Sequence, residues 1–448
     1  MTGDRDGIRR QIDAIWRIES ARIIAGLARM VRDVGMAEDL AQDALLAALE
    51  RWPREGVPEK PGAWLMTTAK RKAIDHFRRN KLQARKYEEA GRELEDRDDA
   101  DYDAVLGSVD GDVGDDMLRL IFTTCHPILS PEARVALTLR LLGGLTMDEI
   151  ARAYLVSEST VAQRIVRAKR TLSEANVPFE VPEGPERAAR LSSVLEVLYL
   201  MYNEGYTATS GNHWIKPVLC EEALRLGRIL ASIAPDEQEV HGLVALMEIQ
   251  SSRFHARVGP DGKPILLLDQ NRALWDHLLI RRGLAALARA ERIRQAFGPY
   301  TLQAAIAACH ARAGSAEQTD WVRISALYDA LSQVAPSPVV ELNRAVALSM
   351  AFGPAVGLEI ADALMEEPSL KAYHLLPSVR GDLLSKLGRH AEASEEFSRA
   401  ASLTRNAQER AVLLGRAAES NAAADAASKL NYEERDERHE PGTIQGRD

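Results

Sequence analysis

Apolar residues recur every three or four positions along almost the whole chain, the period of amphipathic helices and not the two-residue alternation of strands. The pattern runs from Ile8 to Met30, breaks at Gly35 and resumes near Ala37. In this second helix Leu40, Ala44, Ala47 and Ala48 form one face, and Asp39, Gln42, Asp43, Leu46 and Leu49 lie roughly opposite. Carboxylates mixed with leucines suit a docking face; a third helix covering the leucines is the competing reading. Pro53, Gly56, Pro58, Pro61 and Gly62 mark a loop before a helix that begins at Trp64. Its buried stripe is Leu65, Met66, Ala69, Ala73 and Phe77, while Arg71, Asp75 and Arg78 project the other way.

Charge then changes the picture. Between Trp64 and Lys86 the basic residues Lys70, Arg71, Lys72, Arg78, Arg79, Lys81, Arg85 and Lys86 face Asp75 as the one acid. Such an excess favours phosphate contact, and Trp64 offers a flat surface on which an unstacked base can rest; a solvated basic helix with a core tryptophan is the bland alternative. Residues 87–115 reverse sign, and with Gly107, Gly111 and Gly114 among the acids they read as an acidic linker unable to build a core. The sharpest local pattern follows in LTMDEIARAYLVSESTVAQRIVRAKRTL. Ile150, Ala151 and Leu155 belong to one helix, Ser157 caps the next, and Val161, Ile165, Ala168 and Leu172 share that helix's inner face. The outer face presents Ser159, Thr160, Gln163, Arg167 and Arg170, with Arg164 at its edge, side chains suited to purine edges and phosphates in a major groove.

The chain has 448 residues, too many for one core, and a formal net charge of -9, so nucleic-acid contact must come from local basic faces. Cys125, Cys220 and Cys309 are isolated, which fits a reducing cytosol; the adjacent pairs Cys125–His126 and Cys309–His310 diverge on a helix and read as packing residues. No leader and no apolar run long enough for a membrane span is evident, so a cytoplasmic protein without metal or cofactor is expected.

Three segments carry a family resemblance. AEDLAQDALLAALERW resembles conserved region 2.2 of the extracytoplasmic-function sigma factors, WLMTTAKRKAIDHFRR resembles regions 2.3 and 2.4, and the helix-turn-helix resembles region 4.2. The resemblance implies a first domain that docks the clamp helices of the largest subunit of core RNA polymerase through Asp39, Gln42, Asp43 and Leu46. It implies capture of the minus-ten element through Trp64, Lys70, Arg71, Asp75, Arg78 and Arg79. It further implies reading of the minus-thirty-five element through Ser159, Thr160, Gln163, Arg164, Arg167 and Arg170, docking on the polymerase flap, and an acidic linker along the RNA exit path. One departure is Arg71, where the family usually carries asparagine four residues before the aspartate that is Asp75 here. Melting a promoter needs binding energy and no covalent step, so no enzyme is expected.

Beyond Pro178 the chain continues for a length that resembles the long subgroup with a tetratricopeptide-like extension, on RLLGGLTMDEIARAYLVSESTVAQRIVRAKR and LYLMYNEGY. Residues 189–290 read as a helical middle domain ending in a small β-hairpin over 253–270, with turn chemistry at Pro260, Asp261 and Gly262. Tyr202, Asn203, Glu204, Tyr206, Asn212, His213 and Trp214 read as a domain interface. Within 291–430, Gly381, Leu384, Gly388, Ala393, Phe397 and Ala400 fall at tetratricopeptide offsets, and earlier helical pairs are degenerate. Residues 431–448 read as a disordered tail.

The expected fold is therefore all-α and multidomain: a sigma region 2 domain over 8–86, the linker over 87–115, a region 4 helix-turn-helix domain over 116–176, and the extension. The extension would regulate in cis, by contact with the sigma domains, or add polymerase contacts. Competing functions are a stand-alone helix-turn-helix regulator and a repeat scaffold with vestigial sigma domains; an enzyme within 189–290 has no constellation behind it.

Overall fold

The computed structural model describes residues 2–88, 113–154, 156–207, 210–211, 216–259, 264–293 and 295–437. It is overwhelmingly helical and divides into two compact units, Met1–Asn203 with Val218–Pro235, and Glu204–Pro217 with Asp236–Asp448.

The first unit opens with α1 (Thr2–Val31), α2 (Val34–Glu55) and α3 (Pro61–Glu88). The break between α1 and α2 falls at Arg32, in the left-handed region at φ 56°, and Asp33, whose carboxylate accepts the Met36 amide at 2.7 Å. That cap starts α2 one residue before Gly35, so the glycine expected to interrupt the helices sits in the first turn. Likewise α3 starts at Pro61 and not Trp64, because a proline without an N–H suits a first helical turn. Its stripe packs as expected: Leu65, Ala69 and Ala73 are buried, with Met66 and Phe77 half-buried at the margins. The acidic linker lies almost wholly outside the described residues.

Next come α4 (Val113–Thr124), α5 (Pro131–Leu141), α6 (Met147–Tyr154) and α7 (Glu158–Glu174). Each start has a local cause. Ser130 caps α5, with Pro131 at its first position. Thr146 and Glu149 form a reciprocal capping box on α6, Thr146 N donating to Glu149 Oε2 at 2.8 Å and Glu149 N to Thr146 Oγ1 at 3.2 Å. Ser157 caps α7, accepting Thr160 N at 3.1 Å.

The first compact unit continues past this motif and past residue 176. It also takes most of α8 (Gly184–Tyr206) and α9 (Pro217–Ile233). The Arg190 guanidinium donates to the Phe122 carbonyl at 3.0 Å and the Ser193 hydroxyl to the Cys125 carbonyl at 2.6 Å, satisfying the orphan end of α4. Arg225 reaches from α9 to the Leu142 carbonyl at 2.6 Å. Both helices are apolar on the inside: Val194, Leu195, Val197, Leu198 and Met201 are buried on α8, and Leu219, Cys220, Ala223, Leu226 and Leu230 on α9.

The second unit stacks helix pairs. It contains α10 (Gln238–Ser251), α11 (His277–Arg292), α12 (Pro299–Arg312), α13 (Trp321–Val334), α14 (Pro338–Phe352), α15 (Pro354–Ala363), α16 (Leu375–Lys386), α17 (His390–Leu403) and α18 (Ala407–Glu437). Close approach is bought with glycine: a Cβ at Gly381 would lie 3.0 Å from the Phe397 ring, and one at Gly357 would lie 2.6 Å from the Ala345 carbonyl oxygen. Leu384, Ala393, Phe397 and Ala400 are buried as their offsets require, and with Leu358, Leu383, Leu413 and Ala417 they join α15 through α18 in one core. A two-residue parallel ladder pairs β1 (Ser210–Gly211) with β2 (Arg405–Asn406).

Two expectations need correcting here. The hairpin over 253–270 reduces to a single antiparallel bridge between Val258 and Pro264, flanked by 3-10 turns at Phe254–Ala256 and Leu267–Asp269. Pro264 has no N–H to extend a ladder; the expected turn at residues 260–262 lies outside the described residues. The tail read from 431 is helical to Glu437, since lengthening an existing helix through Glu and Arg costs little; residues 438–448 lie outside the described ones.

Two outcomes follow. A chain ending at Asn176 should aggregate on purification because the cover of α4 and α5 is gone, whereas one ending at Pro235 should show a cooperative melt by circular dichroism. Phe397→Ala should destabilise the second unit by about 3–5 kcal/mol, read from urea denaturation.

Candidate nucleic-acid interface and docking face

Helix α7 carries the first candidate surface. Its buried residues are Val161, Ile165, Ala168 and Leu172, the expected stripe, which turns Ser159, Gln163, Arg167 and Arg170 to solvent. Leu155, expected in the preceding helix, lies outside the described residues. Thr160 and Arg164 are half-buried. Both the Ser159 and Thr160 hydroxyls lie 2.8 Å from Ser157 Oγ, so they are engaged in the cap as the helix stands. Arg170 pairs with Glu174 at 2.7 Å on the open surface, a contact readily exchanged for a phosphate.

Helix α3 carries the second. Arg71, Asp75, Arg78 and Arg79 are exposed, while Lys70 is half-buried. Trp64 is half-buried and meets the fully buried Trp52 edge to face, ring centroids 5.3 Å apart, so one side of its indole is committed to packing. The side chains of Lys81, Arg85 and Lys86 lie outside the described residues.

Helix α2 carries the mixed face. Leu40, Ala44 and Ala48 are buried. On the other side Asp39 and Asp43 are exposed and Leu46 is 57% exposed, while Leu49 is half-buried. Lys72 of α3 lies 3.4 Å from Asp43, and Gln42 donates its amide to Glu38.

Sequence reasoning missed the group beside this face. Glu38 is 2% exposed, and its carboxylate takes Arg140 Nε from α5 at 2.7 Å and the Lys169 ammonium from α7. Lys169 also reaches Asp39 at 3.7 Å. Burial pushes the Glu38 carboxyl up, but Lys169 and Arg140 together outweigh it and hold it below the ordinary glutamate value. Gly35 lies beside Lys169: a Cβ there would be in ordinary contact with it, 3.5 Å from its Cδ and 3.8 Å from its Cβ. Nothing local marks Glu38: a glutamate on the buried side of a helix is legible only once its cations are placed.

Among the described residues no cluster of His, Cys, Asp and Glu could hold a metal. All three cysteines are buried and free. Cys125 lies 3.4 Å from the Thr138 hydroxyl, whereas His126 turns away to accept the Ile128 amide at 3.1 Å. Burial, then Arg253 and Arg272, hold His310 down to about 4, so its imidazole is neutral near pH 7. In the same second unit Arg257 stacks 3.6 Å from the Tyr206 ring centre and Arg272 4.7 Å from that of Trp275, a cation–π ladder that fixes the middle of the chain. In the set read as an interface, Tyr202 is fully buried in the first unit, and Asn212, His213 and Trp214 lie outside the described residues.

The lowered Glu38 carboxyl stabilises the fold fully above the ordinary glutamate value, and that stabilisation is lost as pH falls through its depressed folded value. Urea midpoints of the first unit should therefore fall with a steep component below about pH 4.5, the ordinary range of glutamate in an unfolded chain. Glu38→Gln should lose that component and cost about 1.5–3 kcal/mol at pH 7.

Comparison with known proteins agrees with this arrangement. The chain matches Sigma-70 region 2 over residues 18–83, Sigma-70 region 4 over 119–172, and a family of unknown function (DUF6596) over 190–291. It is 43% identical over 391 residues to an uncharacterized protein, R00370, of Rhizobium meliloti, covering 87% of this chain and 91% of that one. It is 30% identical over 179 residues to the probable ECF RNA polymerase sigma factor SigI of Mycobacterium tuberculosis, covering 39% of this chain and 59% of that protein. To the ECF RNA polymerase sigma factor SigK of Mycobacterium ulcerans it is 30% identical over 158 residues, 34% of this chain and 78% of SigK. With both conserved regions folded as helical elements and continued by a helical extension, the chain belongs to the extracytoplasmic-function group of sigma-70 factors.

Proposed function

We propose that this sigma factor docks core RNA polymerase through Asp39, Gln42, Asp43 and Leu46 on α2 and carries it to promoters with recognisable minus-ten and minus-thirty-five elements. The observation that carries the reading is the pair of outward basic faces, on α3 and α7, within one unit whose α2 leaves Leu46 uncovered between carboxylates. On α7, Gln163 and Arg167 are placed to meet base edges and Arg170 and Arg164 the flanking phosphates. On α3, Arg71, Arg78 and Arg79 grip the backbone of the minus-ten element with Lys70, and Asp75 and the free side of Trp64 attend to a splayed base. No covalent step is required, and the work is done in the cytoplasm, where polymerase is.

The extension acts in cis. Because α8 and α9 are built into the first unit, signals received by the helix pairs of the second unit reach the sigma elements along a continuous chain. A scaffold with vestigial sigma domains is the competing reading, favoured by the stacked helix pairs α12 to α17.

Arg167→Glu combined with Arg170→Glu separates the two. Run-off transcription with purified core polymerase should fall more than about 100-fold from a promoter the native protein uses, since one base-edge contact and one phosphate contact become repulsive. Association with core polymerase should be unchanged. Undiminished transcription would favour the scaffold.

A further inference from the structure

A guanidinium taken partly out of water ordinarily faces a carboxylate, and two arginines of the second unit do not. Arg253 stands just past the end of α10 and Arg272 in the turn before α11, both half-buried. Among the described residues neither makes an ion pair. Arg253 donates to the Tyr206 hydroxyl, while Arg272 donates to the carbonyls of His310 at 2.5 Å and Ala313 at 2.7 Å and to the Thr319 hydroxyl at 3.3 Å. These acceptors are neutral, so both charges stay unbalanced. Burial, and then the neighbouring Arg253, pull the Arg272 guanidinium below its ordinary value, with the exposed Glu317 offsetting only a part.

The polar atoms beside these cations are turned inward and unmatched. Trp275 is 4% exposed, with its ring centre 4.7 Å from the Arg272 guanidinium carbon and 6.0 Å from that of Arg253. Its indole N–H has no hydrogen-bond partner, and neither has Arg253 Nε or His310 Nδ1, all three covered from solvent. A buried N–H without an acceptor is costly and rare in a folded protein. Two of them next to two unbalanced guanidiniums suit an acceptor that carries negative charge, which is an oxyanion. Arg253 is the side chain able to reorient around an entering oxygen, because a single hydrogen bond, to Tyr206, holds its guanidinium. An anion there would also relieve the field of Arg253 and Arg272 that helps to keep His310 neutral. Two positive charges match a dianion better than a carboxylate with one, and this selects a phosphoryl group.

We propose that Arg253, Arg272, Trp275 and His310 form a binding site for the phosphoryl group of a small phosphorylated molecule, with the Arg253 Nε–H and the Trp275 indole N–H as its hydrogen-bond donors. Arg272 contributes charge, since its own N–H groups already tie the turn before α11 to the end of α12. Three of the four residues fall within 190–291, the segment matched to a family of unknown function, and the site gives that segment a chemical role. It rests on its own geometry and stands whether or not the chain acts at a promoter.

Calorimetric titration of the full chain with inorganic phosphate tests this, near pH 8, where phosphate is chiefly a dianion, and at constant ionic strength. Phosphate should fill a saturable site with a Kd of about 1 mM or tighter, and acetate, with one charge, should bind at least about tenfold more weakly. Trp275→Phe keeps an aromatic face beside Arg272 and removes the N–H, so phosphate affinity should fall about tenfold or more, the loss of one hydrogen bond to a charged acceptor. Arg253→Lys keeps the charge without the Nε–H or the planar fork and should weaken binding to a similar degree, which keeps the site testable if the tryptophan variant does not fold. Phosphate held instead by the basic faces of α3 or α7 would be indifferent to both substitutions. That indifference, equal affinity for acetate and phosphate, or the absence of saturable binding up to about 20 mM phosphate would each overturn the proposal.

Discussion

A carboxylate buried between two cations makes one body of helices that are distant in sequence. Glu38 has given up its water, and a buried charge is tolerated only where opposite charges and hydrogen bonds replace the hydration. Arg140 and Lys169 supply them from two different helices, while Gln42 supplies an amide from the same one. Other links repeat the logic at lower stakes: Arg29 of α1 reaches Asp116 of α4 at 3.6 Å, and Arg17 reaches Glu149, the acid of the α6 capping box. Ion pairs are weak in water and matter more when one partner is buried, so the contacts of Glu38, and of the likewise buried Asp116, are ones whose loss the first unit would feel.

The function proposed for this protein depends on surfaces that have been left open. The outer faces of α3 and α7 and the leucine on α2 are exposed because their opposite faces are filled with small or apolar residues, Ala69 and Ala73 in one case and Ile165 and Ala168 in the other. Basic residues in such positions meet solvent-exposed acids at most, as Arg170 meets Glu174 and Lys72 meets Asp43. An acidic protein can thus present two separate basic faces, and net charge said little about where they lie.

The extension is less separate than its length suggests. Its first helices complete the helix-turn-helix unit through Arg190, Ser193 and Arg225, which cap carbonyls of α4 and of the loop after α5. Only afterwards does the chain turn to stacking helix pairs, held by residues small enough to let backbones touch. The region 4 match ends at 172 and the next family match begins at 190, on either side of the expected boundary at 176, yet the compact unit continues through α8 and α9.

Local chemistry was legible without the fold. Helical period, the Ser157 cap, the inner stripe of α7 and the tetratricopeptide offsets around Phe397 each depend on residues within a few turns of one another, and each formed as read. Where a cap outranked a glycine, at Asp33, or a proline opened a helix, at Pro61, the starts moved by a few residues. Sequence by itself thus determined which segments are helices, which face of each is inward and which outward faces are basic. Tertiary structure alone decided that Glu38 meets Arg140, 102 residues away, and Lys169, and that α8 and α9 belong with the sigma elements. Such pairings depend on how helices cross in space, and a periodic pattern specifies which face is buried without specifying what it is buried against.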